Sequence, residues 1–265
     1  MNALRNGDGD KPGHEAHLMQ AVDIALNAAV LVMQNGGHTV AAGHTFSNVL
    51  KGCAMEGVSA AWRLDCVSAT VDAPGGSSAF VRPVGLIGMN LSRATAAMAL
   101  SERMATGALS AADFAAELER VRQLPTPYNR WVMIAAAAAA AGFFSQIAGG
   151  DWGSLVICLV AGTVGQFFRS MLQANKVAVA PVTLVCGVLS ALIAAIGLRL
   201  GFSDVGPATL LASVFYMVPG LPLINGFIDV ISHKYLMVGT ERMLNAAFLF
   251  LILAVAIALA TTLVM

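Results

Sequence analysis

The sequence predicts a mixed fold, in which a cytoplasmic α+β domain is followed by an all-α membrane domain of five transmembrane helices. The 265 residues are 57% hydrophobic and only 11% charged, whereas about a quarter of the residues in an ordinary soluble protein are charged. Residues 1–125 carry 9 of the 15 basic and 11 of the 15 acidic residues. We therefore predict a disordered tail over 1–17, the cytoplasmic domain over 18–125 and the membrane domain over 126–265.

The charge balance and the cysteines exclude several classes of function. The basic and acidic residues cancel, so no net positive field attracts a nucleic acid. The four cysteines form no C-x-x-C pair, which argues against a disulfide framework or a zinc site. We accordingly expect no metal, no cofactor and no nucleic-acid partner. The N-terminal residues G-D-G-D-K are polar and acidic, unlike a signal peptide, so we expect the N-terminus in the cytoplasm.

The cytoplasmic domain is predicted to begin with a mostly buried helix over residues 18–34. Its polar residues recur at spacings of three, four and seven, which place them on one stripe of a helix whose other faces are apolar. These residues are Gln20, Asp23, Asn27 and Gln34. Gly36 and Gly37 end this helix, and a second helix is predicted over 40–55.

A β-hairpin and two further helices complete the predicted domain. Residues 62–71 alternate and are rich in β-forming side chains, a turn covers 72–78, and a second strand covers 79–84. Asn90 is expected to cap a helix that ends near residue 104, and Ser110 a helix that ends near residue 121.

Five apolar stretches follow Tyr128, and each is predicted to cross the bilayer, since a spanning helix needs about 20 mostly apolar residues. They cover residues 131–148, 153–172, 177–198, 207–231 and 244–264. Their many Ala and Gly residues permit close helix packing. The alternative is a buried soluble helical domain, but such helices have polar faces, and the fifth stretch has none after Asn245.

The basic residues that flank these stretches predict the orientation in the inner membrane. With the N-terminus in the cytoplasm, the cytoplasmic flanks carry Arg130, Arg169, Lys176, Lys234 and Arg242. The outer side carries only Arg199, and five spans leave the C-terminus outside. An odd number of spans means that a second five-span unit would have the inverted topology that many secondary transporters use. A partner subunit or a homo-oligomer is therefore expected.

The fourth stretch is predicted to be a broken helix. Pro219 removes a backbone donor, Gly220 is a poor helix former, and Pro222 repeats the interruption. Discontinuous helices are where transporters place substrates and ions. Asn225 and Asp229 are four residues apart and share a helix face beyond the break.

Asp229 is the main candidate for a substrate-binding or ion-binding residue, together with Asn225, Pro219, Gly220 and Pro222. A carboxylate within an apolar stretch faces a cavity or a partner because its burial in hydrocarbon is costly. Asp229 would carry a coupling proton or bind a substrate ammonium group. The alternative is a residue at the cytoplasmic end of the span that pairs with Lys234 or His233.

Three further residues are weaker candidates. Gln166 lies within the second span and would contact a substrate. Arg169 is expected to extend its head group to the cytoplasmic surface, although it would alternatively face an anionic substrate. His38 is the candidate functional residue of the cytoplasmic domain, since it lies at a Gly-rich helix junction. His38 and His44 are six residues apart and would point to different helix faces, so a shared metal is not expected.

Several segments resemble the threonine/serine exporter family, in particular its shorter YjjP-like members. They are Q-N-G-G-H-T-V (34–40), W-R-L-D-C-V-S-A-T-V (62–71), M-A-T-G-A-L-S-A-A-D-F-A-A-E-L (104–118), V-P-G-L-P-L-I-N-G-F-I-D (218–229) and G-T-E-R (239–242). The resemblance implies a five-span transport half that works with a separate small five-span protein, called YjjB-like. It implies threonine, serine or a dicarboxylate such as succinate as substrate. Many relatives have an arginine in a G-A-x-T-x-R-V-type stretch, where this chain has G-G-H-T-V-A-A.

Together these observations predict a subunit of a secondary-active exporter rather than an enzyme. Its substrate would be a small amino acid or a dicarboxylate, and it would work by alternating access against the second half. The alternatives are a membrane-anchored enzyme, or a regulatory subunit whose active part is the N-terminal domain.

Overall fold

The computed structural model describes residues 12–73 and 76–264, and the side chains from residue 18 onwards except those of residues 72 and 73. The described chain divides into two compact units. Unit 1 comprises the residues up to Pro127 together with Leu221–Met243. Unit 2 comprises Tyr128–Gly220 and the chain from Leu244 onwards.

Unit 1 contains four N-terminal helices and a small sheet. The helices are α1 (Pro12–Gln34), α2 (Thr39–Gly52), α3 (Leu91–Ala105) and α4 (Ala111–Gln123). The predicted helices of this region are thereby confirmed, although α1 begins six residues earlier than predicted, within the expected tail. Residues 1–11, the rest of that tail, lie outside the described residues. Asn90 and Ser110 cap α3 and α4 as predicted, because their side chains accept hydrogen bonds from the backbone N–H groups of Arg93 and Asp113.

The first helix, α1, forms the centre of unit 1. It packs against α2, α3, α4 and two strands of the sheet, and Val22, Leu26 and Val32 are completely buried. The predicted polar stripe faces the sheet side, where Asp23 pairs with Arg82 and the amide of Gln34 donates to the carbonyl of Val84. This helix is therefore held from several sides.

The sheet has three antiparallel strands in the order β1 (Val58–Trp62), β2 (Cys66–Ala73) and β3 (Gly76–Pro83). The predicted single strand over 62–71 is wrong, because the chain turns between Trp62 and Cys66 and these residues belong to two paired strands. The hairpin between the second and third strands is confirmed, with Cys66 opposite Pro83 and Ala73 opposite Gly76. Residues 74 and 75 lie outside the described residues.

Unit 1 also contains two segments from late in the chain. These are helix α9 (Gly220–Ile231), of which Leu221 onwards belongs to this unit, and the start of helix α10 (Leu236–Val264). Both segments belong to the predicted membrane domain over 126–265. Their inclusion brings Asn225, Asp229 and Arg242 into the same unit as the N-terminal helices.

Unit 2 is helical. Its elements are α5 (Arg130–Ile147), α6 (Trp152–Ala174), α7 (Val179–Arg199), α8 (Gly206–Ser213), a short 3₁₀-helix (Phe215–Met217) and the part of α10 from Leu244 onwards. Small residues make the helix contacts close, as the sequence suggested. A Cβ at Gly162 would lie 3.0 Å from Cα of Ala138, and one at Gly187 would lie 3.1 Å from Cβ of Ala256.

Within residues 12–73 and 76–264, four helices are long and apolar enough to cross a membrane, namely α5, α6, α7 and α10. The predicted fourth span is a pair of helices separated at Val218 and Pro219, and it qualifies only as a broken span or a re-entrant segment. The count of five spans therefore stays a prediction. The break is shorter than expected, since Pro222 lies in the first turn of α9, where a helix tolerates proline.

Candidate functional site

The predicted candidate Asp229 is the centre of a buried polar cluster in unit 1. Its side chain is 0% exposed and lies at the N-terminus of α2. The carboxylate Oδ1 accepts hydrogen bonds from the backbone N–H groups of Thr39 (2.8 Å) and Val40 (3.3 Å), while Oδ2 accepts from the hydroxyl of Thr39 (2.7 Å). The first N–H groups of a helix have no partner within it and attract an anion. Asp229 therefore caps α2 from another helix.

Arg242 of α10 supplies the positive charge that balances Asp229. Its side chain is 3% exposed, and Nε lies 3.2 Å from Oδ2 of Asp229. Its Nη2 donates to the carbonyl oxygen of Gly37 at 3.3 Å. The alternative pairing of Asp229 with Lys234 or His233 is not found, since the ion pair of Asp229 in the described chain is with Arg242. We call Thr39, Asn225, Asp229 and Arg242 the Asp229 cluster.

Asn225, one turn earlier on α9, contacts the turn between α1 and α2. Its Nδ2 donates to the carbonyl oxygen of Gly36 at 2.8 Å, and its side chain is buried. Asn225 and Asp229 thus share a face of the helix, as their spacing predicted. Gly36 has a φ of +93°, a conformation that suits glycine. The two side chains of α9 therefore fix the tight turn between α1 and α2.

Two glycines allow α9 and the start of α10 to approach closely enough for this pairing. A Cβ at Gly239 would lie 2.7 Å from Cγ2 of Val230 and 2.8 Å from the carbonyl oxygen of Gly226. A Cβ at Gly226 would lie 2.8 Å from Cγ of Met243. The ends of these helices therefore pack backbone against backbone. This contact places Arg242 beside Asp229.

His38 is the residue that caps α2 from its own chain segment. Its Nδ1 accepts a hydrogen bond from the N–H of Ala41 at 3.1 Å, so the capping imidazole is neutral. Burial lowers the pKa of His38, and Arg242 and His44 lower it further, while the carboxylate of Asp229 raises it. No group of His, Cys, Asp and Glu side chains in the described residues is arranged to hold a metal ion.

The remaining predicted site residues on the broken segment do not join these contacts. Pro219 lies between the 3₁₀-helix and α9, and the N–H of Gly220 donates to the carbonyl oxygen of Val218. A Cβ at Gly220 would meet no atom within 4 Å, so this glycine is not required for close packing. Pro219 therefore marks where the segment breaks, Gly220 begins the helix that carries Asp229, and Pro222 lies in the first turn of that helix.

A second polar cluster lies among the helices of unit 2. It comprises Gln166 and Arg169 of α6, Ser190 of α7 and Tyr216 of the 3₁₀-helix, and we call it the Arg169 cluster. Arg169 Nη1 donates to the backbone carbonyl oxygen of Tyr216 at 3.2 Å. The hydroxyl of Tyr216 lies 3.0 Å from that of Ser190, which donates to the carbonyl oxygen of Ala161 at 3.2 Å. Since the one Ser190 proton is directed at Ala161, Tyr216 is the donor to Ser190.

The two clusters each contain one buried atom without a hydrogen bond, Nε of Arg242 and Oε1 of Gln166, but they differ in charge pairing, since Arg242 lies beside Asp229. None of the ion pairs formed by residues 12–73 and 76–264 includes Arg169. Gln166 is 9% exposed, and its buried Oε1 accepts no hydrogen bond from any described residue. Buried polar atoms are rarely left in this state. The cluster therefore retains hydrogen-bonding capacity that its own residues do not use.

Sequence reasoning missed several members of both clusters. It treated Arg242 only as a flanking charge that sets orientation, and it gave no role to Thr39, Ser190 or Tyr216. The motif Q-N-G-G-H-T-V held a signal for Thr39, since a threonine after a glycine-rich turn often begins a helix. Its pairing with a carboxylate 190 positions later has no local signal.

Comparisons with known proteins find one family model and two relatives that are described as transporters or transporter subunits. A model of the protein family ThrE, described as "Putative threonine/serine exporter", matches residues 23–264. The "Probable succinate transporter subunit YjjP" of Klebsiella aerogenes is 27% identical over 139 residues, which are 52% of this chain and 54% of that protein. The protein of the same description from Escherichia coli (strain K12) is 28% identical over 141 residues, with the same shares covered.

The chain thus spans about half the length of the curated relatives it matches. No solved structure gives a significant match. The family and both relatives are described as transporters or transporter subunits.

Proposed function

The chain belongs to the threonine/serine exporter family, and on that premise we propose that it is one subunit of a secondary-active exporter. Its substrate is a small amino acid such as threonine or serine, or a dicarboxylate such as succinate. The observation that carries this proposal is the family match over residues 23–264, which includes both units. The two relatives, which are described as succinate transporter subunits, support the dicarboxylate alternative.

The transporter works together with a second membrane subunit in this proposal. The word "subunit" in the names of the relatives supports a partner, and so does the parity of the predicted spans. A chain with five spans forms half of an inverted-repeat transporter. The second half is a small five-span protein or a second copy of this chain, and the two halves alternate in their access to the two sides of the inner membrane. The N-terminus is cytoplasmic and the C-terminus lies outside.

The predicted roles of Asp229, Asn225 and His38 in transport stay predictions. Four partners inside unit 1 already occupy the carboxylate of Asp229: two backbone N–H groups, one hydroxyl and one guanidinium. We therefore favour a positioning role, in which Asp229 and Asn225 hold α9 against the turn between α1 and α2. With this role for Asp229, His38 is a second cap of α2.

Efflux from preloaded cells tests the proposal. Cells loaded with labelled threonine or succinate would express this chain alone, with the small five-span protein, or with neither. We expect export of one of these solutes above the vector control only when both chains are present. Export by this chain alone would indicate a homo-oligomer. No export of either solute in any combination, with both chains present in the membrane, would contradict the proposed function.

A further inference from the structure

We propose that Arg169 and Gln166 form a subsite for the carboxylate of a small solute within unit 2. This inference rests on the proposed function only for the identity of the solute. The binding chemistry follows from the cluster itself, and first of all from its charge. Arg169 lies in an apolar helix and forms one hydrogen bond, to a backbone carbonyl oxygen. A guanidinium has five N–H donors and no acceptor.

Arg169 has no anionic partner among the described residues. A charged side chain within a membrane helix normally pairs with an opposite charge or faces a water-filled cavity, because its burial in hydrocarbon is costly. Arg242 of unit 1 follows this rule through Asp229. Arg169 does not, since no described carboxylate lies within ion-pair distance of it. A planar guanidinium matches a carboxylate in two parallel hydrogen bonds.

The direction of the Arg169 side chain supports a site inside the unit. Arg169 is five residues from the end of α6 at Ala174, so extension toward that end would let its head group reach water. Instead the guanidinium contacts the carbonyl oxygen of Tyr216, in the 3₁₀-helix just before the break at Val218 and Pro219. The side chain is half-buried, and the expectation that Arg169 extends its head group to the cytoplasmic surface stays a prediction. A helix break with a cation beside it resembles the substrate sites of discontinuous transporter helices.

Gln166 adds an independent observation. It lies three residues before Arg169, and so on the same face of α6. Its Oε1 is buried without a donor among the described residues, and an acceptor of this kind would be satisfied by an N–H or O–H group of a ligand. The hydroxyls of Ser190 and Tyr216 also keep free acceptor positions, since their protons are directed along one chain of hydrogen bonds. The cluster thus offers donors for a carboxylate and an acceptor beside them.

Two kinds of solute carry the required carboxylate. An amino acid would place its carboxylate on Arg169 and its ammonium or hydroxyl group on Oε1 of Gln166. A dicarboxylate would use Arg169 alone and would leave Oε1 without a donor. Gln166 therefore distinguishes the two solutes, while both depend on Arg169.

The test compares matched variants of the full chain, expressed with the small five-span protein and adjusted for the amount in the membrane. The variants are Arg169→Gln, Arg169→Lys and Gln166→Leu, with Arg199→Gln as control, because Arg199 is exposed at the end of α7. The KM for export of succinate and of L-threonine is measured. The thermal unfolding midpoint of each purified chain is measured without solute and with saturating succinate or L-threonine.

We expect Arg169→Gln to raise the KM of the exported solute at least about tenfold and to remove its stabilising effect, because a paired charge is lost. Arg169→Lys keeps a point charge without the fork geometry and should lie between Arg169→Gln and the wild type. Arg199→Gln should leave the KM unchanged. Gln166→Leu should raise the unfolding midpoint, since it removes an unpaired buried acceptor, and yet raise the KM for L-threonine more than that for succinate.

Two results separate the failure of this inference from failure of the proposed function. Export by Arg169→Gln with the wild-type KM, together with wild-type stabilisation by the solute, would overturn the subsite and leave the exporter intact. A wild-type chain that exports neither solute, but is stabilised by a carboxylate only when Arg169 is present, would retain the subsite and overturn the exporter. A variant that loses only stability, with no change in KM, would assign Arg169 a structural role and also overturn the subsite.

Discussion

Two arginines of this protein, the buried Arg242 and the half-buried Arg169, differ in what balances their charge. In unit 1, Arg242 contacts the carboxylate of Asp229, which also accepts three hydrogen bonds from Thr39 and Val40. In unit 2, Arg169 has a backbone carbonyl oxygen as its partner and a neighbouring glutamine whose Oε1 is unpaired within the described chain. This difference shows that a charged side chain within a helix does not by itself identify a binding site. A site is indicated where a charge has no counter-charge among the described residues.

The same comparison explains why Asp229 is a weaker candidate than its sequence context suggests. A buried carboxylate that accepts several hydrogen bonds and faces a guanidinium has little capacity left to bind a solute. Breaking such a pair from one side leaves an uncompensated charge, which costs about 3–5 kcal/mol. The Asp229 cluster therefore holds unit 1 together, whereas the Arg169 cluster remains able to bind.

The largest expected effect is the loss of the buried ion pair. Asp229→Ala should lower the free energy of unfolding by about 3–5 kcal/mol, because it leaves Arg242 buried without a counter-charge. The double variant Asp229→Leu with Arg242→Met should be less destabilised than the sum of the single variants. Denaturant unfolding of the purified chain, followed by fluorescence, measures both quantities.

Glu241→Gln provides the matched control on the same helix. Glu241 pairs with Arg63 at 3.4 Å, and both side chains are partly exposed, so its loss should cost less than about 1 kcal/mol. If Asp229→Ala and Glu241→Gln lowered the free energy of unfolding equally, burial would not distinguish the two ion pairs.

A smaller effect should follow from blocking the approach of α9 to α10. Gly239→Ala should cost about 1–3 kcal/mol, as overpacking does, because its Cβ would lie 2.8 Å from the carbonyl oxygen of Gly226. Gly220→Ala is the control, since no atom lies within 4 Å of the added Cβ. If Gly239→Ala proved as stable as Gly220→Ala, the close packing that places Arg242 beside Asp229 would not contribute to the free energy of unfolding.

Much of the fold could be predicted from the sequence, because it depends on local patterns. The helical period of residues 18–34, the caps Asn90 and Ser110, and the long apolar stretches each have a signal within a few turns. The division at Trp62 was missed because residues 62–71 alternate as one stretch in the sequence, and only the pairing of Trp62 with Val67 reveals the turn.

The sites were harder to predict than the fold because their contacts are distant in sequence. Asp229 was identified as an exceptional carboxylate, but its contacts with Thr39 span 190 positions and no local pattern specifies them. Similarly, the contact between Arg169 and Tyr216 spans 47 positions. Asn225 and Asp229 were correctly placed on one helix face, since a spacing of four is a local property.

Ser110 provides a comparison for Asp229, because it caps a helix without a buried ion pair. Ser110 caps α4 alone, and its side chain accepts from the N–H of Asp113 at 3.2 Å. Ser110→Ala should cost about 1 kcal/mol, and Ser110→Asn, which keeps a capping acceptor, only a fraction of that. Denaturant unfolding measures both variants. A larger loss for Ser110→Ala than for Asp229→Ala would reverse the expected order.

The smallest effect should be a pH dependence that arises from His38. Its folded-state pKa is lowered by burial, so the folded state binds fewer protons than the unfolded state near and below the usual pKa of about 6.5. The stability contributed by this group is complete above that pH and is lost as the pH falls toward the lowered pKa. Protonation also removes the acceptor for the N–H of Ala41.

The thermal unfolding midpoint of the wild type should therefore decrease as the pH is lowered from about 7.5 to about 5.5. The decrease should be smaller in His38→Asn, which keeps a capping oxygen and does not titrate. An identical pH dependence in both proteins would show that the cap of α2 is held by Asp229 without help from His38.

The most direct test of the whole account measures Asp229→Asn and Arg169→Gln side by side, for both the thermal unfolding midpoint and the KM of export. The account predicts opposite signatures. Asp229→Asn should lower the midpoint while the folded fraction exports with the wild-type KM, and Arg169→Gln should raise the KM at least about tenfold at comparable membrane abundance. The reverse result, with a stable Asp229→Asn variant that exports nothing and an Arg169→Gln variant with the wild-type KM, would contradict it.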